Sequence, residues 1–571
     1  TQVEVASDGR VIWAERGGAI KMLTSDGVPL VLAQLTPAGN ACPTCAPEPD
    51  YLFPYDDPAG SASNGEVTPD RPQRLGVGGF EEGGLHGLLL DDEFAENGLL
   101  YVYYSVPNTR REVATGVYWG DFALSSLVMD PTTNLIDLAT EEVLLTVPAE
   151  WDHCCHYGGD IDYLPDGTLL LTTGDDVEAA SSGGYGPRDE SGHWLNAELT
   201  SANPADRRGK ILRLREDGSV PDGSIAGENP NPFIGMEGYN PYIEDSAESP
   251  WVGENVGTPG DGWIEFDPYI YAMGFKQPFR AAVMPNGDLY TGDVGPDAGS
   301  DDPERGPRGF EEINRVPLGG GTHYGWPRCQ GPNWAYMDVD WSTLDSSGPL
   351  DCSDTAAVAR PVGTSEATVT GMTGADIYYA NTSCDGSDGS VDYPCDQWPT
   401  LGTGSKTSEP TFYYPPNQTG DLALPQKYRD RLWSLEWSRN YIVTIPVNPV
   451  TGDLDLRDET FDLVEPAGMA LAGPIDAEIG PDGAVYVVEY GVFFYAQFTG
   501  RLSRISAAQT QPAPETEPEP APAPSTAGED GSAAPKSADA TLPATGAGLS
   551  TAAVFALLGA VGTRRRRRVL P

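Results

Sequence analysis

The sequence predicts an all-β chain whose body is a six-bladed β-propeller with long loop insertions, followed by a disordered linker and a C-terminal hydrophobic helix. Two observations carry the propeller. A turn-plus-strand unit recurs six times, at Asp8-Gly9 to Glu15, Asn97-Gly98 to Tyr104, Asp166-Gly167 to Thr173, Asn286-Gly287 to Asp293, Asp430 to Glu436, and Asp482-Gly483 to Glu489. Each pairs a turn dipeptide with an apolar run, the usual signature of a hairpin strand. Second, the copies lie roughly 50 to 140 residues apart. A bare four-stranded blade needs about 40 to 50 residues, so the surplus is insertion between strands. The Asp430 copy lacks the turn glycine.

Strand alternation gives the residue six places after each turn position an equivalent place in every blade. These residues are Glu15, Tyr104, Thr173, Asp293, Glu436 and Glu489, four of them carboxylates. The repeated strand is expected to be the innermost of each blade, so the acids converge on the central channel, to hold a cation, pair with bases or stand as a solvated ring.

Composition narrows the function classes. The 571 residues include 34 basic and 85 acidic side chains, a net charge of −51, which excludes a phosphate-binding basic face and hence nucleic acid as a partner. A hydrophobic content of 39%, with 12 Trp and 26 Tyr, is enough for a large core. Eight cysteines at even parity point to disulfides in an exported chain, with Cys329–Cys352 and Cys384–Cys395 paired by proximity. Cys42 and Cys45 close on each other, bridge to Cys154-Cys155, or join His153 in a metal site.

In chain order, residues 1–508 form the propeller, with Pro/Gly/Asp-rich excursions at 36–80, 176–206, 216–265 and 328–425. Glycines crowd before the strand at Leu99, in Gly78-Gly79 and Glu82-Gly83-Gly84-Leu85-His86-Gly87, and imply close backbone approach. The stretch Cys154-Cys155-His156 to Asp175 joins a histidine to a blade strand. Asp293, Asp297, Asp301 and Asp302, with carbonyls freed by Gly295 and Pro296, have the composition of a hard-cation loop without the spacing of an EF-hand.

Residues 509–540 are a Pro/Glu/Ala-rich spacer too poor in apolar residues to fold. At 541–571, Leu542-Pro543-Ala544-Thr545-Gly546 precedes a small apolar stretch and Arg564 to Arg568. That order resembles the cell-wall sorting signal of Gram-positive surface proteins, with the hydrophobic segment as a sorting helix. The resemblance implies sortase cleavage between Thr545 and Gly546, attachment to peptidoglycan, and a secreted, wall-anchored protein whose precursor is held at the membrane.

From about residue 3 to 506 the chain resembles the glucose/sorbosone dehydrogenase family. The resemblance rests on Glu82 to Leu88, His156 to Asp175, Gly209 to Arg213, Gly274 to Pro278, Gly292 to Pro296, Glu312 to Asn314 and Tyr324 to Pro327. It implies a six-bladed propeller that oxidises an aldose or related sugar by hydride transfer to pyrroloquinoline quinone (PQQ) with Ca²⁺, handing electrons to an unknown acceptor. His156 falls on the general base, Asp175 on the carboxylate that orients it, and Lys276 on an electrophilic partner. Glu82, Gln277 and Arg439 fall on cofactor contacts, and Gly295 and Pro296 on the metal-binding carbonyls, beside Asp293. Lys276-Gln277 replaces an Arg-Asn pair, and Glu82 replaces a glutamine, which puts negative charge near the three PQQ carboxylates. The competing readings are a non-catalytic surface propeller that binds a glycan or protein, and metal-assisted hydrolysis by Glu15, Asp293, Glu436 and Glu489.

Overall fold

The computed structural model describes residues 1–507 apart from 36–81, 115–116, 152–154, 178–180, 188–195, 240–262, 341–342, 353–357, 363–367, 370–371, 383–392, 396, 405–407, 467–468 and 492–499. Cys42, Cys45, His153, Cys154, Cys384, Thr545 and Gly546 therefore lie outside the described residues, as do the spacer and the sorting segment. Contacts divide the chain into Thr1–Gln509 and Thr510–Pro571.

Six antiparallel sheets follow one another along the first unit. Blade 1 is Val3–Val5, Val11–Ala14, Ala19–Leu23 and Pro29–Gln34. Blade 2 is Leu85–Leu90, Leu99–Ala114, Val117–Asp130 and Leu135–Trp151. Blade 3 is Ile161–Tyr163, Leu169–Thr173, Lys210–Leu214 and Ile270–Met273, extended by Thr322–His323 in parallel. Blade 4 is Pro278–Val283, Leu289–Asp293, Phe310–Val316 and Ile377–Ala380. Blade 5 is Ser408–Tyr414, Arg431–Glu436, Tyr441–Pro446 and Asp462–Leu463. Blade 6 shows Pro474–Ile479, Val485–Glu489 and Arg501–Ile505. The first strand of each blade packs on the first strand of the next, and blade 6 returns to blade 1, so the ring is closed.

All six repeats predicted from sequence are blade strands, but each is the second strand of its blade and not the innermost. The four carboxylates therefore stand one strand out from the channel. Three of them instead accept backbone N–H groups: Asp293 from Lys276 and Gln277, Glu436 from Ser438 and Arg439, and Glu489 from Ala472. Glu15 pairs with Lys21 at 2.6 Å. In the copy without glycine, Asp430 itself takes the left-handed turn position (φ 55°), which aspartate tolerates better than most side chains.

The innermost strands bring other charges together. Asp476 accepts from Val3 N at 2.7 Å and pairs with Arg280 at 3.2 Å. Asp160 accepts from Ala281 N at 2.7 Å and from Gln2 Nε2 at 3.1 Å, while Gln2 Oε1 accepts from Leu88 N at 2.9 Å. These bonds tie blade to blade across the axis. Apolar side chains fill the spaces between sheets, as in the cluster of Phe122, Tyr157, Leu171, Leu212 and Met273 between blades 2 and 3.

The crowded glycines mark tight crossings. A Cβ at Gly87 would lie 2.5 Å from Gly159 O, and one at Gly84 would lie 2.2 Å from Arg16 O. Two of the long insertions meet: Met236–Tyr239 and Trp263–Glu265 pair with Val358–Pro361 and Thr368–Val369 in one added sheet. Cys329 and Cys352 form a disulfide, as proximity predicts. Cys155 and Cys395 are also disulfide-bonded.

Candidate active site

Antiparallel geometry places the ends of the second strands and the entries to the first strands at one rim of the propeller. His156 enters Ile161–Tyr163, Asp175 follows Leu169–Thr173, Lys276 and Gln277 enter Pro278–Val283, and Asp293 ends Leu289–Asp293. The turn that presents His156 is unusual in its backbone. Gly158 (φ 65°) and Gly159 (φ 118°) take positive φ freely, but Cys155 (φ 97°) and His156 (φ 70°) are side-chain-bearing residues in the left-handed region, strain of the kind found at functional sites.

His156 is buried, and both ring nitrogens are engaged. Nδ1 lies 2.8 Å from Asp175 Oδ1, and Nε2 lies 2.7 Å from Lys276 Nζ. An ammonium can only donate, so Nε2 is the acceptor and the ring proton sits on Nδ1, donated to Asp175. The Trp326 indole N–H donates to Asp175 Oδ2 at 2.7 Å, and Val177 N donates to Oδ1 at 3.1 Å. Burial pushes Asp175 up to about 7, against the opposing pull of Lys276, Trp326, Val177 and Arg208. Asp293 is raised to about 7 by burial against the two N–H groups it accepts. Glu312, across the strand pair from Asp293, is raised to about 8 by burial and by Asp293.

Glu82 closes the site from blade 2: its Oε2 accepts His156 N at 2.9 Å. Gln277 Oε1 accepts Gly158 N at 2.9 Å. Gly174 is required between them, since a Cβ there would sit 2.0 Å from His156 O and 2.2 Å from Gln277 Oε1. Lys276, Asp293, Gly295, Pro296, Glu312 and Trp326 line one cleft. Gly295 N donates to Glu311 Oε2 at 2.9 Å, and the Asn381 amide donates to Pro296 O.

Of the residues expected from sequence, His156, Asp175, Lys276, Glu82, Gln277 and Asp293 are thus linked by direct hydrogen bonds. Gly295 and Pro296 share a cleft with Lys276 and Asp293. Arg439 stands in blade 5, where it stacks on Tyr441 and Tyr379 at 4.9 and 5.7 Å and donates to Tyr441 Oη at 2.9 Å. Both Asp293 oxygens face the backbone N–H groups of Lys276 and Gln277. Asp301, from the acidic loop, is committed to Arg308 at 3.1 Å. Among the described residues no group of three His, Cys, Asp or Glu side chains is placed to hold a metal ion. Sequence reasoning assigned no role to Trp326 or Asn381. Trp326 stood within a quoted motif, but nothing in a linear sequence points from it to a carboxylate 151 positions away.

Comparison with known proteins adds a family signal over the stretch that carries His156. The glucose/sorbosone dehydrogenase family model matches residues 65–243. That span includes Glu82, His156 and Asp175. Quinoprotein glucose dehydrogenase B of Acinetobacter calcoaceticus is 24% identical over 342 residues, 57% of this chain and 58% of that protein. An uncharacterised Synechocystis protein is 30% identical over 144 residues, 25% of this chain and 29% of that protein. The chain thus spans less than two thirds of either relative. Among solved structures, a putative glucose dehydrogenase of Thermus thermophilus aligns at 18% identity over 88% of this chain and 95% of its own, with a TM-score of 0.45. The PQQ-bound aldose sugar dehydrogenase of Streptomyces coelicolor aligns at 14% identity over the same shares, with a TM-score of 0.43.

Proposed function

We propose that this chain is an oxidoreductase that oxidises an aldose or related sugar by hydride transfer to PQQ, with Ca²⁺. The reading includes display on a Gram-positive cell wall after a sortase cuts between Thr545 and Gly546. The observation that carries the catalytic part is the Asp175–His156–Lys276 line: a buried imidazole held in one tautomer, with Nε2 turned toward a cation at a cleft. A base needs the tautomer with Nε2 unprotonated to take a hydroxyl proton from a bound substrate, and Lys276 has to release Nε2 for that proton to reach it.

The residues present fit a tricarboxylate quinone. Lys276 supplies positive charge, Gln277 an amide, and Gly295 and Pro296 the backbone carbonyls that suit a hard cation, while Arg439 is engaged with Glu436 and Tyr441 in blade 5. Bound there, PQQ would supply an electrophilic centre that accepts hydride. The protein's own contribution is electrostatic and geometric. Asp175 keeps the proton on Nδ1 and stabilises the imidazolium that forms when Nε2 takes a proton. Trp326 and Val177 fix the Asp175 carboxylate so that it cannot rotate away from the ring. Glu82 and Gln277 hold the turn from its two sides through His156 N and Gly158 N.

One observation favours the alternative of a non-catalytic surface propeller. Lys276 occupies the lone pair of His156 Nε2 and Asn381 occupies Pro296 O, so the site satisfies itself. Titration of the purified protein with PQQ, with and without Ca²⁺ and followed by absorbance, separates the two. Saturable, Ca²⁺-dependent binding supports the dehydrogenase. No binding at micromolar PQQ removes it in favour of a glycan- or protein-binding propeller.

A further inference from the structure

A second histidine lies beneath the turn that carries the base. His86 is buried at 4% exposure on Leu85–Leu90, and its ring sits edge-on to Phe122 and Tyr157. Its Nε2 lies 2.6 Å from Glu82 O, and its Nδ1 lies 3.0 Å from Gly158 O. Its Cβ is in such close contact with Gly159 that an added Cβ on that glycine would approach to 2.4 Å. Glu82, whose carbonyl the ring holds, is also the residue whose carboxylate accepts His156 N.

We propose that His86 is a positioning residue for His156, acting through Glu82; the inference rests on the reading of His156 as the base. Both ring nitrogens face carbonyl oxygens, and a neutral ring can donate to only one of them; the shorter contact assigns the proton to Nε2, donated to Glu82 O. Glu82 is thereby fixed with its carboxylate under His156 N, and the body of the ring props Gly158 and Gly159. Bonds within blade 3 hold the turn on one side, with Gly159 N donating to Thr172 O at 2.9 Å and Asp176 N to His156 O at 3.1 Å, and His86 with Glu82 holds it from the side of blade 2. A small displacement of a base from its reacting geometry costs rate far more than it costs affinity, on the order of 10²-fold per ångström.

Three substitutions test the proposal. In His86→Leu the volume is kept and the Nε2 donor is lost; in His86→Asn the amide is too short to reach Glu82 O; in His86→Gln the terminal amide takes the place of Nε2. The Leu and Asn variants are expected to lose at least ten-fold in kcat with KM within two-fold, and the Gln variant to recover most of the loss. The second readout is independent of turnover: in ¹⁵N-histidine-labelled protein without cofactor, the downfield Nδ1–H proton of His156 bonded to Asp175 broadens or shifts in Leu and Asn and returns in Gln. Unchanged kcat and an unchanged His156 resonance in the Leu variant overturn the proposal, as does an Asn variant that performs as well as Gln. Absence of turnover in the unsubstituted protein refutes the dehydrogenase reading alone, and the resonance still decides the role of His86.

Discussion

The environment of Asp175 makes a double-mutant cycle with Trp326 the sharpest structural test of the site. The carboxylate meets N–H groups of His156, Val177 and Trp326, at 2.8, 3.1 and 2.7 Å. In Asp175→Asn, one oxygen becomes an NH₂ that faces a donor in either orientation. With the NH₂ toward His156 and Val177, the ring must move its proton to Nε2, where it meets the Lys276 ammonium, and Val177 N loses its acceptor: two conflicts. With the NH₂ toward Trp326 there is one. Each buried unmade bond costs about 1–3 kcal/mol, so the second orientation wins and the His156 tautomer survives. Trp326→Phe alone removes a donor from a buried carboxylate, again about 1.5–3 kcal/mol. In the double variant the donor–donor conflict is gone, so the two costs do not add. The gain from removing a buried charge appears in both arms that carry Asn and cancels. Urea denaturation of the four proteins at pH 8 is expected to give a coupling of about 1–2 kcal/mol, the double variant being more stable than the sum predicts. Additivity within about 0.5 kcal/mol would refute the assigned geometry.

Other consequences follow from the same structure. Burial raises Asp162, Asp175, Asp293 and Glu478 to about 7, Glu312 to about 8, and Glu4 and Asp160 well above the ordinary range. The folded chain therefore binds more protons than the unfolded chain between pH 5 and 7. His86 and His323, lowered to about 4 and 3, act in the opposite sense up to about pH 6.5 but are outnumbered. The denaturation midpoint is expected to fall from pH 5 to pH 7, and a rise would contradict these environments. Gly174→Ala, with its Cβ forced onto His156 O, is expected to abolish turnover and lower the melting temperature. Retained activity would remove the turn from the mechanism. Replacing Cys329 and Cys352 by Ser opens a loop of sequence separation 23, and the chain-entropy model gives a loss of about 3 kcal/mol, readable from the same denaturation curves.

The fold was legible in its turns. Asp-Gly or Asn-Gly followed by an apolar run marked the second strand of five blades, and the sixth was found through its hydrophobic pattern although Asp430 had replaced the glycine. The first strands were not legible. Val3–Val5, Ile161–Tyr163 and Pro474–Ile479 carry Glu4, Asp162, Asp476 and Glu478, because strands at the channel gather acids, Asp476 against Arg280 and the others near like charges, and lose the alternation of a half-buried strand. The acids at the repeat ends were read as a channel ring for that reason, whereas Asp293 and Glu489 hold the backbone that enters the first strand. At the site, His156, Asp175 and Lys276 were found through a family resemblance carried by local motifs. Trp326, Asn381 and the meeting of two insertions in one sheet arise from contacts between distant segments, and no local pattern encodes them.

The most direct test of the central claim is single-turnover reduction of PQQ bound to the protein with Ca²⁺, followed by absorbance on mixing with aldoses, in the unsubstituted protein and in His156→Ala. The account predicts bleaching of the oxidised quinone by at least one aldose, slowed by about 10²-fold or more in His156→Ala while PQQ binding is retained. Equal bleaching rates in the two proteins would show that His156 is not the base and would contradict the account.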